Sequence, residues 1–431
     1  MNGSQCSENS FKRLELQLET ISNAMKNAED INDEINVETP EIGRAIGIVE
    51  SFLKRKHRLC YGGQAINAHL PQSVKFYNKK KNVPDYDFFT PDKDGDISII
   101  VSKLRNKGFT EIYVREGMHS GTFKVFVNFI GVADVTYMDT SIYNILYKRR
   151  AIIEGISYLD ANMLRMLMYV ELSRPRGEVS RWPKVFERLI LLNKFIPMPS
   201  CFKKTPLHDG GRLSQPEIKT IMTYIIHHER VFAGAALRGL YSNYLKQKKS
   251  AGWIMRNTLP IYLFSQDSEN DAKFFVEELS TGTYTNIKFP GDFMPPLKVL
   301  FRGGVPILII IEQTACHSYY SIPISREKPL RVASLDTLIS LFFNLSLNRN
   351  HIAELSSLEC LAQELIEISC RARLSPDLFP FPFISIDCSG HQKSKPSLIR
   401  ERIRRRIRTA KTGDSVHAKS GRRTTYRKKP D

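Results

Sequence analysis

Three aspartates carry the strongest chemical signal in this chain. Asp85 and Asp87 stand one residue apart in the stretch PDYDFF that begins at Pro84, and Asp134 follows a hydrophobic run in GVADVTY. Carboxylates at i and i+2 of a strand point to the same face. Buried without partners they cost several kcal/mol. Their mutual repulsion also raises each pKa unless cations lie between them. Three carboxylates from neighbouring strands make the hard-oxygen site that Mg²⁺ prefers. Two such ions, about 3.5–4 Å apart, can stabilise the attacking and leaving oxygens of phosphoryl or nucleotidyl transfer. Upstream, Gly62, Gly63 and Gln64 sit between a short strand and a helix. Amides there can approach a phosphate closely, aided by the helix N-terminus.

The elements that must position these groups are legible along the chain. Apolar spacing predicts an amphipathic helix over residues 9–30 and a second from about Glu41 to Lys56. RLCY then reads as a strand and QAINAHL as a helix ending at Pro71. DYDFF is a strand between Pro84 and Pro91, followed by a helix that ends at Gly108. Three further strands cover TEIYVRE, TFKVFVNF and ADVTYM. From about 156 to 195 the periodicity is helical. The reading is an α/β (α+β) fold with a mixed sheet. Residues 1–40 form an N-terminal helical segment, 41–150 a catalytic domain, and 151–205 a helical segment completing that half. A second domain spans 215–390, and a basic tail runs from 391 to 431.

The second domain echoes the first. CYGGQAINAHL resembles VFAGAALRGLY, with Gly63 on Gly234 and Ala65 on Ala236. PDYDFF meets PIYLFS, so that Asp85 falls on Ile261 and Asp87 on Leu263. Asp134 then falls on Cys316 and Asp160 on Asp336. The second copy is an internal control. Where it drops both acids, the fold itself does not need them.

Composition sets outer bounds. The net charge is +18 over 431 residues. From Lys393 onward there are 15 Lys and Arg against three acids, Glu401, Asp414 and Asp431. That tail reads as a solvated arm able to contact phosphates of nucleic acid. No apolar run of about 18 residues predicts a membrane span, and the N-terminus lacks the apolar core of a secretory signal. Seven scattered cysteines without CxxC pairs argue against a disulfide framework and for a reducing, cytosol-like compartment.

Other candidates are weaker. The segment SRPRGEVSRWPK places Arg174, Arg176, Arg181 and Lys184 where they could contact a triphosphate or base; a basic loop is the plain alternative. Arg165, on an apolar helix face, could be a phosphate ligand or a structural ion pair with Asp160 or Glu171, and the structural role is the preferred reading. His227 and His228 are adjacent, which suits one metal poorly. His119 and the phenylalanines of FPFPFISI have core or surface roles as their default.

Taken in order, CYGGQAIN, PDYDFFTPD, ADVTYM and the helical stretch from Tyr158 to Asn193 resemble the nucleotidyltransferase superfamily. The likeness is closest to the poly(A) polymerase catalytic subunits of poxviruses and giant viruses. It also takes in TACHSYYSIPI and FPFISIDCSGHQKSKPSLIRERI. One departure concerns the turn, where many members carry Ser after the glycine and this chain has Gln64. The resemblance implies a nucleotidyltransferase fold with a degenerate second copy, and two divalent ions, Mg²⁺ or Mn²⁺. Asp85 and Asp87 would ligate both ions. Asp134 would ligate one and help deprotonate an RNA 3′-hydroxyl. Gly62, Gly63, Gln64, Arg181 and Lys184 would contact the nucleotide. The implied reaction adds AMP from ATP to an RNA 3′ end, releasing pyrophosphate, in host cytoplasm or virion. A second copy of the chain or a viral processivity subunit could be its partner. The alternatives are a uridylyltransferase, an oligoadenylate synthetase, or a non-catalytic RNA-binding processivity subunit.

Overall fold

The computed structural model describes residues 39–404 except 79–81, 118–120, 199–212, 246–259, 289–293, 325–327, 348–357, 376, 378, 393–396, 398 and 402, together with isolated positions between 17 and 35. His119 and the tail beyond Arg404 lie outside the described residues. The chain divides into two compact units. The first is Met1–Met138 with Leu146–Leu159; the second is Asp139–Ile145 with Asp160–Asp431. The helices after Asp160 therefore group with the second unit.

The first unit is built on a seven-stranded mixed sheet. Its strands are β1 (Leu59–Tyr61), β2 (Tyr86–Thr90), β3 (Ile112–Glu116), β4 (Thr122–Val127), β5 (Ile130–Tyr137), β6 (Ala151–Ile153) and β7 (Ile156–Tyr158). They lie in the order β3-β4-β5-β2-β1-β7-β6. Residues 156–158, expected to be helical, instead pair as a strand parallel to β1. Three residues are too few to show a period of their own, and pairing decides their state.

Helix α1 (Pro40–Lys56) starts at its proline, which has no N–H to lose there. It buries Ile42, Ala45, Ile46, Val49, Phe52 and Leu53 along one stripe. Phe52 meets Phe88 at 5.8 Å between ring centroids, and Glu50 accepts from the Tyr86 hydroxyl at 2.6 Å. Tyr86 and Phe88 thus face α1. By the pleat, Asp87 and Phe89 face the other side. Helix α2 (Gly62–His69) follows β1 directly, and α3 (Lys93–Asn106) follows β2, capped by Asp92 accepting from the Gly95 amide. Helix α4 (Thr140–Lys148) completes the elements before residue 150.

The second unit carries an eight-stranded sheet. Its strands are β8 (Val231–Ala233), β9 (Ile261–Ser265), β10 (Tyr284–Ile287), β11 (Leu297–Arg302), β12 (Val305–Glu312), β13 (His317–Ile322), β14 (Leu330–Ala333) and β15 (Cys388–Ser389). Their order is β10-β11-β12-β9-β8-β14-β13-β15. Around it lie α5 (Ala161–Leu172), α6 (Trp182–Phe195), α7 (Gln215–His227), α8 (Ala236–Leu245), α9 (Ser268–Glu278), α10 (Leu335–Ser346) and α11 (Leu358–Leu374). Helix α10 is buried on nearly every side, from Leu335 to Ser346, and packs against α5 and α11.

The cysteine pattern misled in one respect. Cys316 and Cys388, 72 residues apart, form a disulfide. Spacing could not show it, because β13 and β15 become neighbours only through sheet pairing. Among the described residues Cys60 and Cys370 are unbonded.

Candidate active site

Strand register assembles the site. In the first unit Tyr61 lies opposite Asp87, Asp87 opposite Asp134, and Asp134 opposite Lys124. Directly opposed residues share a face of the sheet. Four strands therefore contribute one row, Tyr61–Asp87–Asp134–Lys124, on the side away from α1. Strand β2 begins at Tyr86, so Asp85 sits just before it rather than within it, still on the side of Asp87.

Beneath this row the face is closed by polar and aromatic contacts. Tyr61 stacks on Phe89 at 3.9 Å, and its hydroxyl meets the Thr136 hydroxyl at 3.0 Å. Thr136 in turn meets Thr122 at 2.9 Å. Gly62 takes a positive φ of 73°, and a Cβ there would lie 2.2 Å from Asp87 Oδ2. Only glycine lets the first turn of α2 approach that carboxylate so closely. Tyr61 caps α2 without a side-chain hydrogen bond, so the first amides of the helix, at Gly62, Gly63 and Gln64, are not closed by their own N-cap side chain.

Charge is balanced inside the row by a residue that the sequence reading passed over. The Lys124 ammonium pairs with Asp134 Oδ2; the two side chains are 41% and 10% exposed. The lysine is raised by its hydrogen bond to Asp134 and by the charges of Asp134, Asp85 and Asp87, against a desolvation that opposes them. Asp85 shows the repulsion expected of clustered acids. Desolvation first, and the Asp134 charge second, push it up to about 6, against the pull of Lys124. Because the residue itself is exposed, solvent limits the first cause and repulsion by Asp134 is the firmer one. The signal for Lys124 lay in TFKVFV, where a lysine interrupts an otherwise apolar strand.

The second unit repeats the seven strands of the first in the same order and adds β15, and the register corrects the pairing expected from sequence. Gly62 corresponds to Gly234, which also has a positive φ, 113°. The ion pair Arg58–Asp96 returns as Arg230–Asp271, at 2.6 and 2.7 Å. Thr90 and Ser265 hold the amides of Asp92 and Asp267 in the same way. A bulge follows Val125 in one copy and Leu300 in the other. With these anchors Asp85 corresponds to Pro260, Asp87 to Tyr262, Asp134 to Ile309 and Lys124 to Val299. Asp160 corresponds to Ser334, both capping the next helix. Matching Tyr86 to Tyr262 by identity had slipped the strand by one residue, which exchanges its two faces.

The row Tyr61–Asp87–Asp134–Lys124 becomes Ala233–Tyr262–Ile309–Val299, each 0–4% exposed. The lysine vanishes together with its acids. Asp96 and Asp271, by contrast, are kept as structural ion pairs in both copies.

Residues 47–178 match the poly(A) polymerase catalytic subunit family. The resemblance to viral members is borne out by individual relatives. A mimivirus protein provisionally named a poly(A) polymerase catalytic subunit is 25% identical over 244 residues, covering 54% of this chain and 41% of the relative. One from African swine fever virus, with the same provisional name, is 30% identical over 164 residues, covering 37% and 34%. The matches thus span less than half the length of these two relatives. The crystal structure of the Megavirus polyadenylate synthase superposes with a TM-score of 0.70, at 17% identity, over 96% of this chain and 85% of that one. The chain therefore shares the fold of the Megavirus polyadenylate synthase.

The donor chemistry fits a hard divalent cation: carboxylates, Asp87 and Asp134 brought level by register, with Asp85 beside them held above its ordinary pKa by desolvation and by the Asp134 charge. Among the described residues no three carboxylate, histidine or cysteine side chains already gather around one point. Lys124 supplies positive charge there, so a cation at Asp134 has to exchange with its ammonium.

The remaining sequence candidates among the described residues belong to the second unit. Arg181 and Lys184 belong to the second unit, at the start of α6, both exposed. Arg181 pairs with Glu171 at 3.1 Å. Arg165 is structural, as expected, with different partners. It is 1% exposed and donates to Asn162 and Asn193 side chains and to the Leu192 and Ile196 carbonyls. Burial lowers it to about 10. Helix C-terminal carbonyls take the place of the expected acids. His228 stacks on Tyr224 at 4.1 Å. Phe379 and Phe381 pack around Tyr241 and Tyr320.

Among the described residues no helix is long and apolar enough to cross a membrane.

Proposed function

We infer that this chain is a template-independent RNA 3′-adenylyltransferase, a viral-type poly(A) polymerase that adds AMP from ATP to an RNA 3′-hydroxyl. The observation that carries the reading is the row of acids beside the Gly62 turn, present in one copy of the fold and erased in the other. The likeness to viral poly(A) polymerase catalytic subunits supports the choice of nucleotide and acceptor. A host cytoplasm or virion is the corresponding location.

When bound, two divalent ions, Mg²⁺ or Mn²⁺, supply charge neutralisation at the attacked phosphate and at the attacking and leaving oxygens. Asp85 and Asp87 would hold both ions, and Asp134 one. Asp134 would also draw the proton from the 3′-hydroxyl. The open start of α2, with Gly62, Gly63 and Gln64, orients the triphosphate through backbone amides. Lys124, released from Asp134, becomes a free cation at the edge of the row. Arg181 and Lys184 are further phosphate contacts in this reading.

The test incubates the full chain with a short RNA bearing a 3′-hydroxyl and with each nucleotide separately. ATP should give a ladder of extended products. Extension by UTP alone would refute the adenylyl reading, and synthesis from ATP without an RNA primer would turn it into an oligoadenylate synthetase. Asp85→Ala with Asp87→Ala should abolish extension and leave RNA affinity within about twofold. Undiminished extension by that variant refutes the role given to the acids.

A further inference from the structure

The second unit holds two polar side chains with buried nitrogens that find no hydrogen-bond partner. His317 opens β13 and is 9% exposed. Neither of its ring nitrogens has a hydrogen-bond partner. Its ring stacks on Phe264 with 5.1 Å between centroids. Arg174 follows the end of α5, and its Nε is also buried without a partner. The Ser318 amide donates to the Ser173 carbonyl at 2.9 Å, which ties the residue after His317 to the residue before Arg174. Burial, and then the Arg174 charge, push the imidazole down to about 3. Burial alone lowers Arg174.

The local acid does not answer this need. Glu171, three residues before Arg174, is engaged by Arg181, and its pKa is set by desolvation, Arg181, Glu178 and Arg188 rather than by Arg174. A buried guanidinium nitrogen without a partner is costly. A neutral imidazole beside it adds one N–H that either nitrogen can carry. Together they present donors in excess and no acceptor charge. We propose that Arg174 and His317 form a binding site for a phosphate-class oxyanion in the second unit. The planar fork of Arg174 suits two oxygens of one phosphate, and His317 donates to a third. The site lies apart in sequence from the acid row and needs no adenylyl transfer to exist.

The source of the phosphate is open to three arms of one experiment. The full chain, labelled with ¹⁵N-histidine, is titrated without divalent ions against inorganic phosphate, ATP and a short oligoadenylate, and the His317 ring nitrogens are followed by NMR. At least one titration should move them to a saturating end point. Response to phosphate and ATP marks a free-anion or nucleotide site; response to the oligonucleotide alone marks an RNA-backbone site. Arg174→Met should weaken the response roughly ten- to a hundredfold. Arg174→Lys, which keeps the charge and the fold, should retain part of it. Unmoved His317 nitrogens at millimolar levels of all three, or equal affinity in R174M and the parent chain, would overturn the site.

Discussion

Lys124 is the residue whose removal tests the acid row most directly. Lys124→Met keeps the length of the side chain and deletes the ammonium that pairs with Asp134. The partners are 41% and 10% exposed, so the pair lies between two limits. Exposed pairs contribute about 0–1 kcal/mol, while leaving a fully buried charge unpaired costs about 3–5. The solvent-facing lysine argues for the lower part of that range, roughly 1–2 kcal/mol. For a unit of this size that lowers the melting midpoint by roughly 3–8 °C in EDTA. The freed Asp134 should then take divalent cations about tenfold more tightly, because no ammonium has to be displaced. Thermal melts of parent and variant, in EDTA and across Mn²⁺ concentrations, measure both effects. Adding Asp134→Asn to K124M should recover much of the lost stability, since the uncompensated charge is gone. An unchanged midpoint in EDTA, or equal stabilisation of both proteins by Mn²⁺, would refute the exchange of lysine for metal.

Three further outcomes follow from the same geometry. Asp85 titrates near 6 rather than at its ordinary 3.8; its ionised form is thus disfavoured in the fold, and that penalty is present above about pH 6 and relieved as pH falls toward 3.8. In EDTA, Asp85→Asn should therefore stabilise the chain at neutral pH and lose that gain in acid, and melts showing a pH-independent difference would contradict the repulsion. Gly62→Ala places a methyl on Asp87 Oδ2 at a positive φ; it should cost about 1–3 kcal/mol and cut extension more than RNA binding, as gel-shift and primer assays would register. RNA affinity should fall steeply with salt, by a log–log slope of about −0.7 per phosphate contact, and deleting 393–431 should flatten that slope; an equal slope without the tail would remove it from the interface.

The sequence alone determined the chemistry of the row. Asp85, Asp87 and Asp134, the glycine turn at Gly62 and the presence of a second, acid-free copy are all local features of residue type and order, and residue type is what a chain displays directly. Lys124 was visible as a letter but not as a participant, because its partner lies on another strand. Register was decided only by tertiary pairing. Hydrophobic identity aligned Tyr86 with Tyr262, yet one faces α1 and the other the opposite side of its sheet. Side-chain direction alternates with every residue, so a one-step slip is invisible in composition and complete in space. The same holds for Cys316 with Cys388, for the strand at 156–158, and for the meeting of Arg174 with His317. Each depends on which strands become neighbours, and contacts between residues far apart in the chain exist only once the sheet has formed.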